Sequence, residues 1–294
     1  MRLLPVLLLF NACVQIQADN SNIAQDSSTR PVRVPRRSYD YRLEATTQLV
    51  GFDLVVNGFE VLLVNNGANH TTQVLINDWM ISGSNDISVT VLWPEGIEFN
   101  PGQGSATFRL FSNTTLVREF RWPASGIPNI MTSYPHEFSD TFRSSGFPTV
   151  MLERAERVIS SAGRLPADDQ AEIVAIAAQL RRAFVERDME SINYLLRAKY
   201  EDLATARFTT AAEIRAEENT KFQELMGKEA YTVAFSGRNS FNSVANDRVV
   251  RLGQGRIGFP EPALIISYRE NRRTERWNME LYFAKIDGNW VIIR

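Results

Sequence analysis

The sequence predicts an α+β protein, with an N-terminal antiparallel β-sandwich at residues 41–122 and helices packed on a curved antiparallel sheet at residues 167–294. Two changes of pattern support this prediction. Between residues 41 and 122, short apolar or alternating runs are separated by turn residues roughly every ten positions, as in β-sandwiches. From residue 167 the apolar spacing becomes helical, and after residue 227 it becomes strand-like again.

The first residues of the chain are typical of an export signal. MRLLPVLLLF begins with one arginine and continues as an apolar run that ends near Val14, and small and polar residues follow. The run is shorter than the ~20 apolar residues that a membrane-spanning helix needs, and no later stretch reaches that length. We therefore expect residues 1–18 to be a signal peptide, the chain to lack a transmembrane span, and the protein to be periplasmic or extracellular.

Two ways of processing this signal peptide remain open. The tripeptide IQA at residues 16–18 suits ordinary cleavage after Ala18, whereas FNAC at residues 10–13 is a distorted form of the bacterial lipoprotein box. Lipidation at Cys13 predicts an outer-membrane lipoprotein with a lipid anchor. In both cases residues 19–40, which contain four arginines and two prolines after Ser28, are predicted to be a flexible linker.

Composition excludes several kinds of chemistry. Cys13 is the only cysteine, so the chain beyond the leader has no disulfide, no thiolate nucleophile and no cysteine-bound zinc. The formal net charge is −2. Because no strong overall field attracts a polyanion, we expect no nucleic-acid partner.

The predicted sandwich opens with a hairpin. FDLVV and FEVLLV flank Asn57-Gly58, a dipeptide that favours a type I′ turn because both of its positions need positive φ. The stretch VNGFEVLL, followed by INDWMISGSNDISVTV, resembles jelly-roll sandwiches that accompany carbohydrate-active enzymes. The resemblance implies sugar contacts on loops and assigns no binding residue here. An exposed row of aromatic side chains such as Trp79 and Trp93 is the expected mark of a sugar site.

Residues 123–166 are predicted to connect the two domains. They contain several prolines and glycines, a set of aromatic side chains, and a helix-like piece from about Met151 to Ile159. A connection of this length that carries apolar side chains is expected to pack against one or both domains.

Three helices are predicted after residue 167. The first has Asp168 and Asp169 near its N-terminus, where the helix dipole favours negative charge. The second begins around Met189, and the third runs from about Thr210 to a cap at Gly227. The apolar stripes of these helices are Ile173, Ile176, Ala177, Leu180 and Phe184; Ile192, Leu195, Leu196 and Leu203; and Ile214, Phe222, Leu225 and Met226.

Strands are predicted from about residue 231 to the last residue, with a tight Asp287-Gly288 turn before NWVIIR. Helices followed by an antiparallel meander that ends in YFAKIDGNWVIIR resemble the cone-shaped α+β fold of the nuclear-transport-factor-like and ketosteroid-isomerase-like superfamily. The resemblance covers residues 167–294 and implies a cone-like domain. The chain departs from the usual order, because three helices precede the first strand. In RWNMELYFAK, the face that carries Leu281 and Phe283 is predicted to be core, and the face that carries Glu280 and Tyr282 to be partly exposed to water.

Few catalytic motifs are present. GQGRIGF at residues 253–259 has the glycine spacing of a dinucleotide site, but a strand precedes it and FPEP follows it, and two prolines cannot continue a phosphate-binding helix. We therefore interpret it as a turn between strands. His70 and His136 are the only histidines and lie in predicted loops, so we expect no catalytic triad, no metal site and no cofactor.

A small-molecule site, if the cone-like domain holds one, has one candidate base. Glu218 lies four residues from both Ile214 and Phe222 on an apolar seam, where desolvation is expected to raise its pKa. The alternative is that Glu218 reaches solvent or forms an ion pair. Tyr194, Arg238 and Tyr282 are the further candidate ligand-binding residues.

The sequence therefore predicts an exported bacterial envelope protein that acts as a non-catalytic binding or assembly module for a protein partner. Two alternatives remain: an isomerase or dehydratase-type enzyme with a pocket in the C-terminal domain, and carbohydrate binding by the N-terminal sandwich. Fold by itself does not distinguish among them.

Overall fold

The computed structural model describes residues 40–64, 67–93, 104–123, 136–159, 164–235, 239–254 and 261–294. Strands make up about 48% of these residues and helices about 28%, and every strand pair is antiparallel, so the α+β class is confirmed. The described residues all belong to one compact unit, Ser38–Arg294. The predicted signal peptide, Cys13 and the predicted linker up to residue 39 lie outside the described residues.

The first half of the chain forms two four-stranded sheets. In hydrogen-bonded order, sheet I is β4-β1-β6-β7 and sheet II is β3-β2-β5-β8. The strands are β1 Tyr41–Gln48, β2 Gly51–Val56, β3 Phe59–Val64, β4 His70–Leu75, β5 Gly83–Leu92, β6 Ser105–Ser112, β7 Thr115–Trp122 and β8 His136–Ser144.

Period-two alternation explains the packing of these two sheets. In β1, β2, β5 and β6 every second side chain is buried, and the buried side chains of both sheets belong to one hydrophobic cluster. The ring centroids of Phe52 in sheet II and Phe108 in sheet I lie 5.1 Å apart. The predicted Asn57-Gly58 hairpin between β2 and β3 is confirmed, with φ of 52° and 82°.

Strand β8 lies within residues 123–166, the stretch interpreted from the sequence as a connection. It pairs with β5 along its whole length, from Gly83 opposite Ser144 to Val91 opposite His136. Helix α1, Met151–Arg154, follows, and the chain after it lies against the last hairpins of the protein. There the amide of Glu156 donates to the Lys285 carbonyl and that of Val158 donates to the Asp247 carbonyl, each at 2.9 Å.

Four further helices follow: α2 Ala167–Glu186, α3 Met189–Leu195, α4 Arg197–Ala206 and α5 Ala211–Met226. The predicted second helix is therefore two helices that meet at Leu196. Thr210 caps α5 in a capping box with Glu213, and Gly227 ends it. Among the described residues, no helix has the length and apolarity needed to cross a membrane.

The second half contains two more antiparallel sheets. Sheet III has the order β14-β13-β9, and sheet IV has the order β10-β11-β15-β16, with β12 paired to β11. Only Ala263 separates β12 from β13, and only Glu280 separates β14 from β15, so two chain segments run through both sheets. The strands are β9 Glu229–Phe235, β10 Asn239–Val244, β11 Val249–Gln254, β12 Glu261–Pro262, β13 Leu264–Glu270, β14 Arg273–Met279, β15 Leu281–Ile286 and β16 Asn289–Ile292.

Strand β15 is buried on both faces. Leu281 and Phe283 belong to the hydrophobic cluster beneath the helices, whereas Tyr282 and Ala284 belong to the cluster that sheets I and II share. The expectation that the Tyr282 face meets water is wrong for Tyr282 itself, which is 2% exposed. Its ring packs 5.1 Å from Phe59 and 6.1 Å from Trp79.

Polar contacts accompany this apolar junction. The Arg294 guanidinium, 3% exposed, donates to the Asp202 carboxylate and to the Asp78 carbonyl oxygen, and Asp202 also accepts from the Met151 amide. Arg207 of the α4–α5 connection binds the Asp78 carboxylate through two nitrogens, at 2.9 and 2.7 Å. Helix α4, the last residue and the 3-10 turn Asn77–Trp79 are thereby joined.

We predict that Asp202→Asn lowers the unfolding free energy by about 3 kcal/mol or more, because it leaves the buried Arg294 charge without its counterion. Urea unfolding measures the effect. Asp287→Asn is the matched control, since its pair with Arg154 is exposed, and we expect no measurable change there. Equal losses in the two variants would contradict the assigned role of Asp202.

Candidate functional site

Of the four predicted ligand-binding or catalytic residues, the three that the structure describes do not converge. Tyr194 on α3 is 64% exposed, with the Arg197 guanidinium stacked 4.3 Å from its ring. Tyr282 is buried between the two halves, and Arg238 lies outside the described residues. Glu218 lies on α5. The described members of this set therefore occupy three separate environments.

Glu218 is an ion-paired carboxylate. Its side chain is 16% exposed, and its oxygens lie 3.0 Å from Lys199 Nζ and 3.4 Å from Lys221 Nζ. Burial acts to raise its pKa, but the two lysines outweigh burial and hold the pKa below its usual range. The expected rise through desolvation is therefore absent, and the ion-pair alternative describes this residue.

Two hairpin turns from different halves of the chain meet at one place. The β2–β3 turn, Asn57-Gly58, accepts a 3.1 Å hydrogen bond at the Asn57 carbonyl from the Ala245 amide in the β10–β11 turn. A methyl group at Gly58 would come within 3.1 Å of the Ala245 nitrogen. Ala245, Asn246 and Asp247 all have positive φ, so the second turn bends as tightly as the first.

The Asn57 side chain organises its own side of this contact. Its amide group donates to the Trp79 carbonyl at 2.8 Å and to Asn85 Oδ1 at 2.9 Å. Its side-chain oxygen accepts from the Asp86 amide at 2.9 Å. All hydrogen-bonding groups of this turn residue are therefore engaged, which holds the turn in one position.

Two clefts open beside these turns and share Asn57, Gly58 and Asp86; we call them together the joined cleft. The first has a volume of about 490 Å³, and its floor is the outer face of sheet II. The second, about 330 Å³, has the β10–β11 turn as its far wall. On the floor, Ser88 is the register partner of Ser139, and Asp86 that of Thr141. The side chains that line the joined cleft are therefore short, and several of them carry hydroxyl groups.

Carboxylates set the charge of the joined cleft. Asp86, Asp140 and Asp247 line it, and no lysine or arginine among the described residues does, although Arg118 pairs with Asp140 and Arg157 with Asp247 from outside the lining. The Thr141 amide and the Arg118 guanidinium lower the pKa of Asp140. The pKa of Asp247 is also lowered, by hydrogen bonds from Arg157 and Ser243. The lining therefore stays anionic at neutral pH.

A second polar group of residues lies where the same two hairpins face each other. Arg251 of β11, 12% exposed, forms a two-pronged ion pair with Glu280 at 2.9 and 3.1 Å and lies 3.8 Å from Glu60 of β3. Asp53 of β2 is half-buried beside them, and its Oδ1 has no hydrogen-bond partner. Burial and Glu60 raise the pKa of Asp53 to about 6, although Arg251 acts to lower it.

The remaining predictions concern metals, cofactors and sugars. The described residues contain no group of His, Cys, Asp or Glu side chains arranged to hold a metal ion. Gly253 and Gln254 of GQGRIGF belong to β11, which pairs with β12, and residues 255–260 between them lie outside the described residues. Trp79 and Trp93 are both partly buried against the core, so they form no exposed aromatic row.

Sequence reasoning identified the Asn57-Gly58 turn but not its role in the joined cleft, and it missed Asp53, Glu60 and Arg251. One signal was available: Asp53 is a carboxylate inside the apolar strand FDLVV, where an unpaired charge is costly. Glu60 lies in the same predicted hairpin as Asp53, but Arg251 comes from β11, which is too distant in sequence to be placed beside them by pattern.

The chain matches no model of a known protein family and no curated protein.

We predict that Gly58→Ala lowers the unfolding free energy by about 1 kcal/mol more than Gly288→Ala does. Both glycines have φ near 80°, so both variants incur the same backbone strain. Only Gly58 also faces a neighbouring backbone, since no heavy atom lies within 4 Å of an added carbon at Gly288. Equal losses in urea unfolding would contradict the tight contact between the two turns.

We also predict that Glu218→Gln lowers the unfolding free energy at neutral pH by roughly 1–2 kcal/mol, because the part-buried Lys199 loses its partner. Since the folded-state pKa lies below the ordinary 4.5, this stabilisation is present above about pH 4.5 and is lost as pH falls through the folded value. Unfolding curves measured from neutral to acidic pH test this. Glu217→Gln, half-exposed on the same helix, is the control and should change little.

Proposed function

We propose that this chain is an exported bacterial envelope protein that binds a protein partner without catalysis, and that the joined cleft holds the partner. The observation that carries the proposal is the cleft itself, whose two parts share Asn57, Gly58 and Asp86 as lining residues. A preformed concave surface with a few convergent polar groups is the usual setting of recognition. The hydrogen bonds of Asn57 support its being preformed.

The chemistry of the joined cleft favours an extended segment that carries arginine or lysine. Asp86 of β5, Asp140 of β8 and Asp247 of the β10–β11 turn line the cleft, and Asp86 forms no ion pair with a described residue, which favours a cationic occupant. Arginine forms charge-assisted, two-pronged bonds with carboxylates, and serine and threonine hydroxyls serve backbone groups as donors or acceptors. Small floor residues such as Gly58 and Ser88 leave room for a backbone to approach.

For the fold, we propose an N-terminal β-sandwich and a C-terminal cone-like domain of the nuclear-transport-factor-like type. The shared core of sheets I and II supports the sandwich. Support for the cone comes from the two segments that pass between sheets III and IV and from the helices packed on one side of them. Such folds serve many functions, so the proposal of binding rests on the cleft and not on the fold.

The alternatives have less support. An isomerase or dehydratase needs a general base. Glu218 is a weak base because Lys199 and Lys221 pair with its carboxylate and lower its pKa. Sugar binding by the sandwich needs accessible aromatic faces, and Trp79 packs against Phe59 and Tyr282. The envelope location and the choice between cleavage after Ala18 and lipidation at Cys13 rest on the leader sequence alone.

We expect selection from a library of random peptides on the immobilised protein to enrich sequences that contain arginine or lysine. Asp86→Arg should lower the affinity for the enriched peptides about tenfold or more, or ~1.4 kcal/mol, because it reverses a charge shared by both parts of the cleft. Fluorescence anisotropy measures this, and binding should weaken further as salt is added.

Glu201→Arg is the control, since it makes the same charge change on the exposed face of α4, outside the joined cleft. It should leave affinity within about twofold of the unmodified protein. Enriched peptides without basic residues, or equal loss in both variants, would count against the proposal.

A further inference from the structure

The charges at the contact between the β2–β3 and β10–β11 hairpins do not balance. Asp53 and Glu60 come from the first hairpin, Arg251 from the second, and Glu280 from the bend between β14 and β15. Among the described residues, three carboxylates therefore lie near one guanidinium. Glu280 takes Nε and Nη2 of Arg251, and Glu60 lies 3.8 Å from Nη1. Arg251 therefore contacts Glu280 and Glu60, and the third carboxylate, Asp53, receives no hydrogen bond from it at Oδ1.

Among the described residues, Arg251 is the one cation that acts on Asp53. Its charged neighbours are Glu60 of β3 and Arg251 of β11, and Arg251 is itself paired with Glu280. Within sheet II its neighbour on β5 is Thr90, and Thr90 in turn pairs with Glu137 of β8. The buried Oδ1 of Asp53 has no hydrogen-bond partner. A carboxyl group in such a place is best accommodated with a proton, which removes its charge and supplies a donor.

The turns of the same two hairpins also border the joined cleft. Asp53 and the Asn57-Gly58 turn are on one hairpin, four residues apart, and Arg251 and the Ala245–Asp247 turn are on the other. The Ala245 amide donates to the Asn57 carbonyl across the contact. Any force that separates Asp53 and Glu60 from Glu280 and the Arg251 strand therefore acts on the turns that border the cleft.

We propose that the Asp53 carboxyl group is a pH-responsive element, which holds the β2–β3 and β10–β11 hairpins together when protonated and loosens their contact when it ionises. Ionisation places a charge in a half-buried site that water solvates poorly, and it adds repulsion from Glu60; the attraction of Arg251 does not offset both. Separating the hairpins admits water to the carboxylate and relieves the cost of burying it. The element does not depend on the proposed function. If the joined cleft binds a partner, affinity there inherits the same pH dependence.

The direction and the pH window follow from linkage. The folded-state pKa of Asp53 is about 6 and its ordinary value is 3.8, so the folded protein holds the proton more tightly than the unfolded chain does. The contribution of Asp53 to the stability of the contact is therefore fully present below about pH 4 and is lost as pH rises through 6. Carboxylates with lowered pKa, such as Asp247 and Glu218, act in the opposite sense but at lower pH.

Hydrogen exchange at the Ala245 amide tests the proposal, with protection corrected for the intrinsic rate at each pH. In the unmodified protein we expect protection to fall severalfold, up to about tenfold, between about pH 5 and pH 7.5. In Asp53→Asn the Ala245 amide should be as well protected at pH 7.5 as at pH 5, at the level that the unmodified protein reaches at pH 5. Glu201→Gln, an acid-to-amide change on an exposed helix face, should behave like the unmodified protein.

A second measurement keeps the proposal falsifiable if hydrogen exchange is dominated by global unfolding. The carbon chemical shift of the Asp53 carboxyl group reports its titration directly. It should titrate near pH 6, and Glu60→Gln should lower that midpoint by removing a neighbouring negative charge. Titration near the ordinary value, or an equal pH dependence of Ala245 protection in Asp53→Asn, would overturn the proposal.

Discussion

Strand β15 is the element on which both halves of the protein depend, because each of its faces belongs to a different hydrophobic cluster. Leu281 and Phe283 contribute to the core beneath the helices, while Tyr282 and Ala284 contribute to the core of sheets I and II. A strand covered on both faces has no side that water can solvate, so it must be apolar almost throughout. Lys285 is the exception, and its ammonium reaches the Asp169 carboxylate at the start of α2, at 2.9 Å.

Apolar burial is not directional, so polar contacts decide how the parts joined through β15 are positioned relative to each other. Arg294, Asp202 and Asp78 hold α4 and the 3-10 turn Asn77–Trp79 at one end of the junction. The Asn57 turn and the Ala245–Asp247 turn meet at another place along it. Two tight turns in contact cannot also fill the space beside them with long side chains. That space is the joined cleft.

The candidate site shows how far residue patterns reach. Helical spacing predicted that Glu218 lies at an apolar seam, and the residue is 16% exposed. Spacing on one helix gave no sign of Lys199, which approaches Glu218 from α4. Together with Lys221 it lowers the pKa of Glu218, which burial alone would raise. Arg251 is brought to Asp53 and Glu60 from a separate hairpin in the same way. The chemistry of a carboxylate depends on such neighbours, which is why its role was not readable from sequence.

The sequence by itself determined the local features, because these depend on residues close together in the chain. They include the Asn57-Gly58 and Asp287-Gly288 turns, the Thr210 cap and the apolar stripe of α2. Only the tertiary structure decided that Tyr282 is covered, that β8 completes sheet II, and that two hairpin turns face each other. Burial and pairing of this kind depend on which distant segment covers a face or an edge. Alternation along one strand specifies two faces and leaves open which of them meets water.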